Sequence, residues 1–159
     1  MSLDRLGRAG VRALSRWRHP LETAASSHPV VLIVEDHAAL RASLHDWLAA
    51  IVPGACVLCA ASVEEAVETL AHAVADVVLM DIGLPGMNGI EGTRRLHDRA
   101  PALPVVMLSI LDDRAHVAEA MDAGAVAFVS KRRMRTELPA VLQAVLVPQS
   151  STGSATGRT

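Results

Sequence analysis

Short apolar runs punctuate the chain at Val30–Val34 (VVLIV), Cys56–Ala60 (CVLCA), Val77–Met80 (VVLM), Val105–Leu108 (VVML) and Ala127–Val129 (AFV). Most are apolar at consecutive positions, the pattern of strands buried on both faces of a parallel sheet. The longer stretches between them carry helical signals. Ser62-Val-Glu-Glu65 is a capping-box pattern that opens a helix with Val63, Ala66, Val67 and Leu70 on one side. Asp112 or Asp113 can start a later helix, and Ala123-Gly124 can end it. Thr136 is the expected cap of a last helix, with Pro139 in its first turn, where a missing N–H costs little. Strand and helix alternate five times without an internal repeat. The predicted fold is therefore an α/β, doubly wound, five-stranded parallel sheet, (βα)5.

Composition narrows the function classes. At 159 residues the chain suits one domain, here residues 29–147, with margins on either side. No apolar run approaches the roughly 20 residues a membrane span needs. A net charge of −2 argues against a globally basic nucleic-acid binder. That charge is unevenly spread: residues 1–28 hold five Arg against Asp4 and Glu22. Leu3, Leu6, Leu14, Trp17 and Leu21 recur there near helical spacing, as in a basic amphipathic helix. The simpler expectation is a frayed N-terminal extension. Residues 148–159 (PQSSTGSATGRT) read as a flexible tail. Arg residues interrupt any signal-peptide core, and two Cys are too few for a disulfide scaffold, so a cytoplasmic location is expected.

All strands of a parallel sheet point their carboxyl ends to one edge, where ligands bind. Glu35-Asp36 follow the first run, Asp81 the third, Ser109 the fourth, and Lys131 stands just past the fifth. Carboxylates held this close repel one another unless a cation sits among them. A hard divalent ion such as Mg²⁺ takes a few carboxylates and accepts phosphate oxygens. With Lys131 as a second positive charge and Ser109 as a donor, the edge suits a bound or transferring phosphoryl group. Asp81, in the middle, is the natural nucleophile. Lys131 is the single Lys among fifteen basic residues, and it falls on this site.

The segments VLIVEDH, VVLMDIGLPGMNGIE, VVMLSI and AFVSK, in this order and spacing, resemble the receiver domain of two-component response regulators. The LPGMNGIE segment is most similar to receivers of the LuxR-type helix-turn-helix subfamily. The resemblance implies the flavodoxin-like strand order 2-1-3-4-5. It implies that Asp81 accepts a phosphoryl group from a histidine kinase, or from a phosphotransfer protein. Glu35, Asp36, Asp81 and the carbonyl of Gly83 would organise Mg²⁺. Lys131 would hold the phosphate, with Ser109 and Phe128 as switch hydroxyl and switch aromatic. Many receivers carry Pro after the Lys of the fifth strand; here the next residue is Arg132.

Weaker candidates have simpler explanations. Cys56 and Cys59 are three apart on a strand, so their thiols face opposite ways and read as buried structural cysteines. His37 reads as a surface residue starting a helix rather than a ligand. Gly83–Gly89 is Gly-rich but lacks the Lys of a P-loop, and fits a turn that wraps the site. Met121 reads as core. An aspartate-nucleophile phosphatase would need a second carboxylate that Asp81-Ile82-Gly83 lacks, so no turnover enzyme is expected. Glu35 and Asp36 would repel the phosphate of a flavodoxin-type cofactor. Only twelve flexible residues follow the last helix, so an output domain is expected to be missing and specific DNA binding absent. The leading expectation is a stand-alone receiver that signals to a downstream protein through its fourth helix, fifth strand and fifth helix. The alternative is a truncated DNA-binding regulator acting as a phosphate sink.

Overall fold

A computed structural model describes residues 28–146. The basic extension, except His28, and the Ser/Thr-rich tail lie outside the described residues. The strands are β1 (Val30–Val34), β2 (Cys56–Ala60), β3 (Val77–Asp81), β4 (Val105–Ser109) and β5 (Ala127–Ser130). Between and after them run α1 (Ala38–Ile51), α2 (Val63–His72), α3 (Gly89–Arg99), α4 (Arg114–Asp122) and α5 (Met134–Leu146). All strands pair in parallel in the order β2-β1-β3-β4-β5, the flavodoxin-like arrangement.

Alternation along each strand divides the core in two. Val31, Ile33, Leu79, Val106 and Leu108 pack with Leu44 and Leu48 of α1 and Leu138 and Leu142 of α5. Leu32, Val34, Met80 and Met107 pack on the other face, with α2, α3 and Ala120 of α4. β3 and β4 are buried at every position, which is why they read as unbroken apolar runs. On the outer side of the first layer, the Arg135 guanidinium lies 5.6 Å from the Trp47 ring centre, joining α5 to α1.

The helix starts follow local chemistry. Ser62 Oγ accepts from the Glu65 amide at 3.1 Å, while Glu65 Oε2 accepts from the Ala61 amide at 2.7 Å. Asp113, the second of the two candidate residues, caps α4 by accepting from the amides of Ala115 and His116. Gly124 closes that helix at φ +104°, a left-handed conformation that suits glycine.

Four expectations need correction. Thr136 does not cap α5: the helix begins at Met134, and the Thr136 hydroxyl donates to the Arg133 carbonyl at 2.8 Å. Pro139 consequently lies beyond the first turn. Cys56 is exposed rather than buried, because β2 is an edge strand with only one neighbour; both thiols are free. Cys59 does pack against the α1 side, and burial pushes its thiol up from the ordinary range. Met121 is 43% exposed, since α4 covers the sheet mainly through Ala120.

Candidate functional site

In this strand order the chain leaves β1 toward β2 on one side and returns to β3 on the other. The crevice at the carboxyl ends of β1 and β3 is therefore the topological switch point. Glu35 and Asp36 leave β1 at this crevice, and Asp81 is the last residue of β3. Carboxylate oxygens of all three lie within 4.8 Å of one another. Glu35 is 2% and Asp81 7% exposed, whereas Asp36 faces solvent.

Lys131 closes the cluster from the far strand. It follows Ser130 directly, its amide donates to the Ser109 carbonyl at 2.8 Å, and its ammonium crosses β4 to reach the acids. Nζ lies 2.7 Å from Glu35 Oε2 and 2.8 Å from Asp81 Oδ1. Burial alone would lower the Lys131 pKa. The hydrogen bonds and charges of Asp81 and Glu35 outweigh it, and the net direction is upward. The ammonium is thus held charged between two buried carboxylates.

The turn after β1 is tied down from α1. Arg41 Nη1 donates to the carbonyls of Glu35 at 2.6 Å and Asp36 at 3.2 Å. His37 accepts from the Leu40 amide through Nδ1, so it caps α1 as a surface residue, and its own amide donates to Glu35 Oε1 at 3.2 Å. The turn after β3 runs under the site. A Cβ built on Gly83 would meet Asp81 Oδ2 at 3.4 Å, which places this residue against the central carboxylate. Asn88 then caps α3 through the Glu91 amide.

Not every expected residue joins the carboxylates. Ser109 is buried at the end of β4, one residue past Leu108, the register partner of Asp81. Its hydroxyl accepts from the Leu111 amide at 2.9 Å. Phe128 pairs with Met107 in register and packs, half-buried, against the α2–α4 side of the core.

Sequence reasoning passed over Arg41 and Ser130. No motif marks Arg41, whose role depends on how α1 folds back over its own start. Ser130 pairs with Ser109 in register and is 1% exposed. Its hydroxyl has no partner of hydrogen-bonding geometry among the described residues. It still lies close enough to the Asp112 carboxylate to be the leading influence, ahead of Arg132, in holding that group below its usual range.

The donor set fits a hard divalent cation: three carboxylates converge and two of them are buried, with Lys131 balancing part of their charge. Among the described residues no helix is long and apolar enough to cross a membrane.

Comparison with known proteins agrees with this arrangement. Residues 31–143 match the response regulator receiver domain. The chain is 32% identical over 117 residues to the glycerol metabolism activator of Pseudomonas putida, covering 73% of this chain and 53% of that one. It is 40% identical over 101 residues to the transcriptional activator protein ExaE of the same organism, covering 64% and 47%. The chain thus spans about half the length of these curated relatives. A two-component response regulator of the LuxR family from Aurantimonas sp. SI85-9A1 superimposes with a TM-score of 0.71 at 30% identity, covering 76% of this chain and 86% of that one. That likeness agrees with the subfamily resemblance of the LPGMNGIE segment. With the family's acidic edge, sheet order and sequence all present, the chain belongs to the response regulator receiver domains.

Proposed function

We propose that this receiver accepts a phosphoryl group on Asp81 from a sensor histidine kinase or phosphotransfer protein. The observation that carries the reading is Lys131, whose ammonium bridges Glu35 and Asp81 in the carboxylate cluster. An Asp81 carboxylate oxygen attacks phosphorus. The bond from phosphorus to the donor's imidazole nitrogen breaks, and the electron pair leaves with that nitrogen. Glu35, Asp36, Asp81 and the Gly83 carbonyl would hold Mg²⁺, which would neutralise charge on the phosphoryl oxygens when bound. Lys131 stays charged and releases its contact with Asp81 to hold a phosphoryl oxygen. The Ser109 hydroxyl exchanges the Leu111 amide for the phosphoryl group, and Phe128 turns inward as the space beside Ser109 changes. The product is a signal rather than a turnover: the modified chain presents a changed surface to a downstream protein in the cytoplasm.

A second reading, a truncated DNA-binding regulator acting as a phosphate sink, draws on the names of the relatives. Every helix of residues 28–146 flanks the sheet, so a DNA-reading helix is not among the described residues. Both readings place the phosphoryl group on Asp81; they differ in whether a phospho-specific partner binds the modified chain.

Incubation with Mg²⁺ and acetyl phosphate should add one acid-labile phosphoryl group by intact mass, and Asp81→Asn should abolish the gain. Undiminished incorporation in that variant would move the acceptor elsewhere.

A further inference from the structure

Arg132 follows Lys131, yet its side chain turns away from the carboxylates. Its Nη2 donates to the Ile110 carbonyl at 2.9 Å and to Asp112 Oδ1 at 3.2 Å. Both acceptors lie in the turn between β4 and α4, so the segment after β5 is tied to the segment after β4. Leu111 lies between those two anchors, and its amide donates to Ser109 Oγ at 2.9 Å. One guanidinium nitrogen therefore grips the turn on either side of the amide that holds the Ser109 hydroxyl. The ion pair alone would count for little, because the Arg132 side chain is 69% exposed. The bond to a backbone carbonyl is what couples the grip to the path of the main chain.

We propose that Arg132 is a positioning residue that keeps the β4–α4 turn, and through it the Ser109 hydroxyl, in the conformation described here. It thereby sets how readily Ser109 leaves the Leu111 amide for a group on Asp81. The inference rests on the assignment of Asp81 and Ser109 above and adds a residue outside the acidic cluster. For Ser109 to turn, the Leu111 amide must lose its acceptor and the turn must rearrange. Both contacts made by Arg132 resist that movement. Removing them lowers the cost of rearrangement, so a ligand that favours the rearranged state binds more tightly.

The test uses the full chain, beryllofluoride with Mg²⁺ as the phosphoryl mimic, and the variants Arg132→Ala, Arg132→Lys and Asp112→Asn. Without the mimic, Arg132→Ala should speed hydrogen exchange of the Leu111 amide about fivefold, leaving the Lys131 amide in the sheet unchanged. Titrated with the mimic, Arg132→Ala should bind about three- to tenfold more tightly than the parent. Arg132→Lys should fall between them, because an ammonium is a point charge without the guanidinium's fork. Asp112→Asn should stay near the parent, since its amide oxygen still accepts and the bond to Ile110 survives. A merely destabilising effect would weaken binding, so the sign separates the two. Unchanged exchange at Leu111, or mimic affinity equal to or below the parent's, overturns the role of Arg132. A parent chain that takes up no mimic overturns the phosphoryl-acceptor reading itself and the proposal with it.

Discussion

Lys131 supplies the positive charge that lets Glu35 and Asp81 lie buried side by side, so its loss exposes the electrostatics of the site. In Lys131→Met the three carboxylates repel without compensation, which destabilises the metal-free chain and favours a divalent cation. At a separation of about 5 Å and a water-like dielectric, losing one positive charge strengthens binding of a divalent ion by roughly 1–2 kcal/mol. Titration calorimetry should therefore show Mg²⁺ binding about tenfold more tightly in the variant; weaker binding would remove Lys131 from the cation's surroundings. The pH dependence has a definite sign. A raised lysine pKa contributes stability that is fully present below the unfolded value, 10.5, and is lost as pH rises through the higher folded value. Lys131 should thus add no slope to stability between pH 6 and about 9. Two further residues bear on the lifetime of the modified state. Gly83 lies against Asp81 but has no side chain to orient an attacking water, and Leu111, 49% exposed at the rim, is apolar. Slow hydrolysis is expected. Gly83→Asn with Leu111→Glu should speed phosphoprotein decay by up to about 100-fold once donor is removed. Decay no faster than the parent's would exclude water orientation at these positions.

The element that does most to shape the site is the turn from β3 into α3. Its first helical residue, Gly89, donates its amide to the Ile82 carbonyl at 2.9 Å, drawing the helix start onto the end of β3. A Cβ there would overlap the Asp81 backbone carbonyl and come within 3.0 Å of Ile82 Cα. Neither neighbour is a flexible side-chain end, so Gly89→Ala should cost about 3 kcal/mol by urea unfolding. Gly86 provides the comparison. It has open space around it but sits at φ +71°, so Gly86→Ala should cost only about 1 kcal/mol. Equal losses would show that close approach at Gly89 is not the constraint. The turn signal was legible in residues 83–89, because a glycine-rich segment after a strand that lacks the Lys of a P-loop fits a turn. Which glycine serves contact and which serves conformation was not, since that depends on what the folded chain brings near each one.

Across the whole molecule, the site and the expected output surface sit on different parts of one sheet. Phe128 and Ser109 are on adjacent strands, on the face shared with α4, so a change at Ser109 reaches α4 without crossing the core. Met121 is exposed on that helix, offering apolar surface to a partner. Adding beryllofluoride and Mg²⁺ should shift amide signals within Arg114–Met121 and Arg132–Leu142 more than those of α1 and α2 away from the acids. A population change of this kind needs only a few kcal/mol of differential interaction. Shifts confined to the carboxylate turns would locate the output surface elsewhere.

Much of this architecture is written in short-range chemistry. Two-faced burial left β3 and β4 with apolar side chains at every position before Asp81 and Ser109, so strands, polarity and the residues at the sheet edge could be read directly. Capping at Ser62 and Asp113 was equally local, because a cap needs only a side-chain oxygen and an amide a few residues away. Other features depended on neighbours distant in sequence. Cys56 was misread because an apolar run does not reveal whether its strand lies at an edge. The start of α5 was misplaced for a local reason: backbone bonds from Arg133 to Ser130 and from Glu137 to Arg133 set the turn after Lys131, while Thr136 also looks like a cap. Arg132 stood out in the sequence only as the residue where many receivers carry Pro, until folding brought Ile110 and Asp112 within its reach. Sequence alone determined which groups stand at the strand ends, since periodicity and turn chemistry act over a few residues. Only the tertiary structure decided which of those groups touch, because that depends on strand order and on side chains meeting across 96 positions of chain, as Glu35 and Lys131 do.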